Sequence, residues 1–88
     1  MSQQLDLWIQ GAPRAAHSGE RFDNINPATG EVISRVARAR ADDVNDAVAA
    51  AKAALPAWRA TSVARRADLL DAIADGIEAD LEGFAAAE

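Results

Sequence analysis

A chain of 88 residues has room for one small domain at most, and at that size only roughly 60% of the unfolded surface is buried, so a core formed by these residues alone is marginal. Half of the residues are apolar but many of them are alanine, and cysteine is absent, which excludes a disulfide framework, a thiolate metal site and a cysteine nucleophile within this stretch. The formal charge of −5 is concentrated in residues 41–88, where ten acids face four bases, whereas residues 1–40 carry five Arg against four acids; an acidic second half argues against a nucleic-acid surface, which needs clustered Lys and Arg.

The start of the chain, residues 1–10, has neither a basic leader nor a long apolar run, so a secretory signal or membrane span is not expected and a cytoplasmic location is the default reading. Leu5, Leu7 and Ile9 alternate and predict a first strand that Gly11 and Pro13 stop. A second strand is expected at about residues 21–26, with Phe22 and Ile25 as its large apolar residues, and a third at about 31–37. Between them lies Asn26-Pro27-Ala28-Thr29-Gly30. Pro presets φ there, Asn bonds forward onto the backbone, and Gly tolerates the left-handed conformation, so this is a hairpin turn.

From Asp42 the period becomes helical, with Val44, Ala47, Val48, Ala51 and Leu55 forming one narrow apolar stripe. Asp42 and Asp43 fall in the first turn, where carboxylates favour the positive end of the helix dipole. Pro56 is expected to end this helix or to leave only a distorted last turn, because it has no donor for the carbonyl four residues back. Ser62 is placed to cap a second, longer helix whose stripe runs Leu69, Leu70, Ile73, Ile77, Leu81 and Phe84 and continues to the end of the sequence.

Residues able to carry chemistry are few. His17 is the sole histidine, in a loop flanked by Ser and Gly, and reads as solvated rather than catalytic or metal-binding. The acid pairs Asp42/Asp43 and Asp71/Asp75 lack a visible cause for a shifted pKa and read as a solvated helix face. Gly11, Gly19, Gly30, Gly76 and Gly83 match no phosphate-cradling spacing. Trp8 and Trp58 are expected to anchor a hairpin and a helix end in the core.

The order of these segments resembles the N-terminal segment of the NAD(P)-dependent aldehyde dehydrogenase superfamily over nearly the whole chain. The resemblance is carried by Leu7-Trp8-Ile9-Gln10-Gly11, by Phe22 to Ile25 leading into Asn26-Pro27-Ala28-Thr29-Gly30-Glu31-Val32-Ile33, by Asp42-Asp43-Val44 and the alanines from Ala47 to Ala51, by Leu55-Pro56-Ala57-Trp58, and by Arg66-Ala67-Asp68-Leu69-Leu70. The sequence departs from the family at Val63, where Pro is common, at Arg65, where Glu is common, and at Arg40, where Ser, Thr or Asp is more usual before the first helix. The incomplete capping box at Ser62 weakens that helix start by about 1 kcal/mol.

The resemblance implies an α/β fold: N-terminal β-hairpin elements in residues 1–40, then the first two amphipathic helices of a Rossmann-like cofactor-binding domain in residues 41–88, both parts of one incomplete domain. It implies a parent enzyme in which a cysteine thiolate attacks an aldehyde, hydride passes to NAD or NADP, and a glutamate-activated water releases the acid from the thioester. None of those residues lies within the 88, so the chain alone is expected to be inactive. The resemblance further implies a homodimer or homotetramer for the parent, with no nucleic-acid or membrane partner, and a monovalent cation held in some members through backbone carbonyls equivalent to those of Asn24 and Ile25. The alternative reading is a self-contained interaction or oligomerisation module without enzymatic activity. A helix-turn-helix DNA binder is disfavoured by the acidic helices.

Overall fold

The computed structural model describes residues 3–88. In chain order it has β1 (Gln3–Leu5), β2 (Leu7–Ile9), β3 (Ala12–Arg14), β4 (Arg21–Ile25) and β5 (Val32–Ala37), then α1 (Ala41–Ala60), α2 (Val63–Ala79) and α3 (Leu81–Ala87). The chain divides into two compact units, Met1–Ala54 and Leu55–Glu88.

In the first unit the expected strand at residues 5–9 is split at Asp6. β1 pairs in parallel with β5, while β2 joins β3 in a separate antiparallel hairpin. Arg21 bridges the split, donating to the Leu5 carbonyl at 3.2 Å and pairing with the Asp6 carboxylate. Nor does Pro13 terminate strand structure, for it lies inside β3 opposite Trp8. Gln10 and Gly11 both take positive φ, 56° and 75°, as a two-residue hairpin turn of the primed kind requires. Such a turn makes Ile9 and Ala12 the hydrogen-bonded closing pair. Strand alternation then puts Trp8 and Pro13 at a non-bonded pair, where a missing N–H costs no ladder bond.

β4 and β5 are antiparallel, and β5 is the central strand of a three-stranded sheet ordered β1-β5-β4. Their connection has the expected turn chemistry. Asn26 Oδ1 accepts from the Ala28 amide at 2.9 Å, the Asn26 carbonyl accepts from Gly30 N–H at 2.8 Å, and Gly30 has φ of 77°.

α1 runs through Pro56 to Ala60, four residues past the proline. Proline removes a single bond near the helix end. The carbonyls that follow are taken up locally: Ala57 O accepts from Thr61 Oγ1 at 2.9 Å, and Arg66 Nη2 donates to Trp58 O and Arg59 O at 3.0 and 3.2 Å. Ser62 caps α2 as expected, with extended φ and ψ and its Oγ accepting from Arg65 N–H at 3.1 Å. The single long second helix of the sequence reading is instead two, broken at Asp80, whose φ of −130° and ψ of 44° leave the helical region. The weak helix former Gly76 precedes the break and Gly83 follows it, with the Asp80 carboxylate lying in the space a Cβ at Gly83 would occupy.

Among the described residues the buried apolar side chains are Ile9, Ala16 and Ala37, joined by the polar Ser34 and Asp43. No residue of α2 or α3 is buried. Trp8 is 72% exposed and Trp58 47% exposed, so neither is the core anchor that isolated aromatics suggest. Trp58 instead carries the Arg66 guanidinium over its ring, 5.4 Å from the centroid.

Candidate functional site

Three features of the first unit carry groups able to bind something: an irregular strand pairing, a charged cluster and an alanine-walled groove. The irregularity lies where β4 meets its turn. Asn24 pairs with Ser34 and Ile25 with Val32, so Ile33 is the extra residue of a bulge and the ladder is disrupted beside both residues. Asn24 also donates from Nδ2 to Ser34 Oγ at 3.2 Å. Its neighbour Ile25 is half exposed. The carbonyls of these two residues are adjacent but have no carboxylate cluster for company: no group of three or more His, Cys, Asp or Glu able to hold a metal occurs among the described residues.

The charged cluster is built around the start of α1. Arg40 is a poor N-cap, and Asp43, three residues on, does the work by reaching back. Its Oδ2 accepts from Arg40 N–H at 2.8 Å, while Oδ1 accepts from His17 N–H at 2.9 Å. Asp43 is 2% exposed, the most buried polar residue described. The two backbone donors, Arg40 first and then His17, hold its carboxyl below the usual carboxylate range despite its desolvation. It is therefore not part of a solvated helix face, which corrects the reading of the Asp42/Asp43 pair.

One turn along α1, Asp46 Oδ2 lies 2.6 Å from His17 Nε2 and 3.2 Å from Arg14 Nη1. The hydrogen bond that the Asp46 carboxylate accepts from the imidazole is the main cause that raises the His17 pKa above 6.5, and its charge adds to it. His17 is a loop residue with a largely exposed ring, as expected, but it is partnered. Sequence reasoning did not find Asp46, which lies 29 residues away in the chain and is one acid among many. The loop is also held through Glu20, whose Oε2 accepts from Arg40 Nη2 at 2.7 Å and whose carbonyl accepts from Arg38 N–H.

Beside this cluster an open groove of about 490 Å³ runs between the β2–β3 turn, with Trp8, Ile9, Gln10 and Gly11, and the α1 face formed by Ala47, Ala50, Ala51 and Ala54. The positive-φ glycines Gly11, Gly19 and Gly30 all sit in turns or loops before or between strands, and Gly76 and Gly83 sit in helices. None is placed to cradle a phosphate at a strand-to-helix turn.

The sequence profile described as "Aldehyde dehydrogenase family" matches residues 14–88. Over 85 residues, 97% of this chain, the sequence is 47% identical to a protein of Rhodococcus erythropolis called EPTC-inducible aldehyde dehydrogenase, covering 17% of that relative. It is 44% identical over 98% of its length to acetaldehyde dehydrogenase 2 of Cupriavidus necator, covering 17% of it, and 42% identical over 98% of its length to 2-hydroxymuconic semialdehyde dehydrogenase of Pseudomonas sp., covering 18% of it. The chain thus spans about a sixth of the length of these curated relatives.

Proposed function

Because the chain belongs to the aldehyde dehydrogenase family, we propose that it forms the N-terminal part of an oxidoreductase that converts an aldehyde to a carboxylic acid with NAD(P)+ through a cysteine thiohemiacetal and thioester. The observation that carries this reading is the family match over residues 14–88. The cysteine nucleophile of that chemistry has to come from other residues of the parent, since these 88 contain no cysteine. A bound NAD or NADP supplies the hydride acceptor. Among the described residues no glycine lies at a strand-to-helix turn able to cradle a phosphate, so the cofactor is proposed to be held by other parts of the parent.

The role of these residues is architectural. Residues 1–40 supply strands and turns and residues 41–88 supply helices to one Rossmann-like cofactor-binding domain. The stripe Leu70, Ile73, Ile77, Leu81 and Phe84 remains exposed, which supports packing against the remainder of the parent polypeptide. No helix among the described residues is long and apolar enough to cross a membrane. The parent is proposed to be a cytoplasmic homodimer or homotetramer acting on a small-molecule aldehyde. A monovalent cation is proposed on the backbone carbonyls of Asn24 and Ile25, with further ligands drawn from other segments.

The test is aldehyde-dependent NAD(P)H formation by the full-length parent and by the 88-residue chain. Turnover by the parent and none by the short chain is expected. Cysteine-independent turnover by the short chain overturns the assignment, and an inactive but cooperatively folded, self-associating short chain favours an interaction module. Thermal unfolding of the parent in Na+ or K+ against a bulky organic cation at equal ionic strength tests the carbonyl site, which predicts a higher midpoint with the small ion.

A further inference from the structure

Two cations of different kinds meet on one oxygen in the first unit. Arg14, from β3, and His17, from the loop after it, both reach Asp46 Oδ2. The same histidine is tethered through its backbone N–H to Asp43, one turn earlier on α1. His17 is therefore fastened to α1 twice, while the end of the loop is held through Glu20 by Arg38 and Arg40. The Asp43 tether is a backbone bond that does not change near neutral pH. The Asp46 tether runs through an imidazole whose charge does change there, beside a guanidinium whose charge does not.

We propose that Arg14, His17 and Asp46 form a proton-controlled latch: protonated His17 holds Asp46 and closes the His17 part of the loop 15–20 onto α1, and loss of that proton hands Asp46 to Arg14 and leaves the Asp43 tether as the only bond of His17 to α1. The charged groups around the imidazole are Asp42, Asp43 and Asp46 of α1 and Arg14 of β3, while Glu20 of the loop is paired with Arg40. Three carboxylates against one guanidinium favour the imidazolium. A neutral imidazole retains only an uncharged hydrogen bond, roughly half as strong as the charge-assisted one, while Arg14 keeps its full attraction. Since the folded-state pKa of His17 is raised, the contact stabilises the closed loop fully below 6.5, and that contribution is lost as pH rises through the folded pKa.

His17 is the sole histidine of the segment, so deuterium exchange at its imidazole carbon, read by mass spectrometry on the full-length parent, reports its pKa. Amide exchange in the same peptide reports loop opening. The latch predicts that protection of residues 15–20, corrected for the intrinsic pH dependence of exchange, falls about two- to fivefold as pH passes the His17 pKa, the range of exposed ion pairs. Asp46→Asn lowers that pKa and flattens the pH profile. Arg14→Gln raises the pKa further by removing the competing cation, and His17→Gln keeps the Asp43 tether but gives a flat profile at the low level. A His17 pKa that Asp46→Asn leaves unchanged, or wild-type protection constant across the titration, overturns the latch. The wild-type titration decides the matter even if a variant fails to fold.

Discussion

The unit Met1–Ala54 is held by polar contacts between residues distant in sequence, whereas in Leu55–Glu88 the hydrogen bonds are local. In the first, Asp43 bonds to His17 26 positions back, Arg21 reaches back across 15 to Asp6, and Arg40 reaches 20 back to Glu20. In the second, Ser62 caps its own helix, Arg66 closes the corner after α1, and large apolar side chains of α2 and α3 stay in solvent. The difference separates two ways of ordering a chain whose core is thin. Buried hydrogen-bonded groups fix geometry without much apolar area, because leaving them unpaired is costly. A helix pair with an uncovered stripe gains its tertiary stability only when something covers that stripe.

The largest effect expected from this contrast lies in the second unit of the parent protein. If the stripe of α2 is covered there, Ile73→Ala costs about 2–5 kcal/mol in denaturant unfolding, as a buried large-to-small change does. Asp71→Ala, on the other face, stays within about 0.5 kcal/mol. Equal and small effects at both positions would mean that the stripe is solvated in the parent as well, and the contrast between the units would fail.

The next effect lies in the first unit and is a matter of hydrogen bonds and pH. Asp43→Ala leaves the Arg40 and His17 amides without their acceptor, so both should lose hydrogen-exchange protection, and stability should fall by more than for Asp42→Ala. The folded pKa of Asp43 is lowered from 3.8. Its contribution is therefore present above that value and lost as pH falls through the folded pKa. Wild-type acid unfolding measured against Asp43→Asn should show the difference between the two shrinking only below about pH 4. A difference that already shrinks between pH 5 and 7 would assign the effect to another group.

What could be read from the sequence divides along the same line. Ser62, the Asn26–Gly30 turn and the strands β4 and β5 were legible because their determinants are neighbours in the chain. The Gln10–Gly11 turn is not legible because glutamine seldom adopts positive φ, and Pro13 then reads as a terminator rather than a residue at a tolerated register. Of the two outcomes expected at Pro56 the second holds, since α1 continues for one turn, to Ala60, and the carbonyls there find other donors. Trp8 was expected inside because an isolated aromatic usually is; here it stands exposed beside a groove walled by alanine. For the candidate sites, Asn24 and Ile25 were marked by resemblance, while the bulge beside them follows from strand register that no local pattern encodes. Burial of Asp43 and the partnering of His17 by Asp46 depend on a loop folding back over more than 25 residues, so neither composition nor spacing reveals them.

The smallest effect tests whether the second unit depends on local signals as its helix start suggests. Ser62 Oγ accepts from Arg65 N–H, and Ser62→Ala removes that acceptor at a cost of about 1 kcal/mol. The reciprocal half of a capping box is missing because residue 65 is arginine, which has no acceptor to offer the Ser62 amide and places a cation at the positive end of the helix dipole. Arg65→Glu supplies both corrections and should stabilise the parent by about 0.5–1 kcal/mol. Its benefit should vanish in the Ser62→Ala, Arg65→Glu double variant only in so far as the two halves of the box cooperate, so the double-mutant cycle measures the coupling directly. A gain from Arg65→Glu that survives intact without Ser62 would assign it to the dipole rather than to the box. Either share is a property of the first turn of α2, and this is what distinguishes it from the start of α1, where the capping carboxylate of Asp43 also binds, through its other oxygen, a loop far away in sequence.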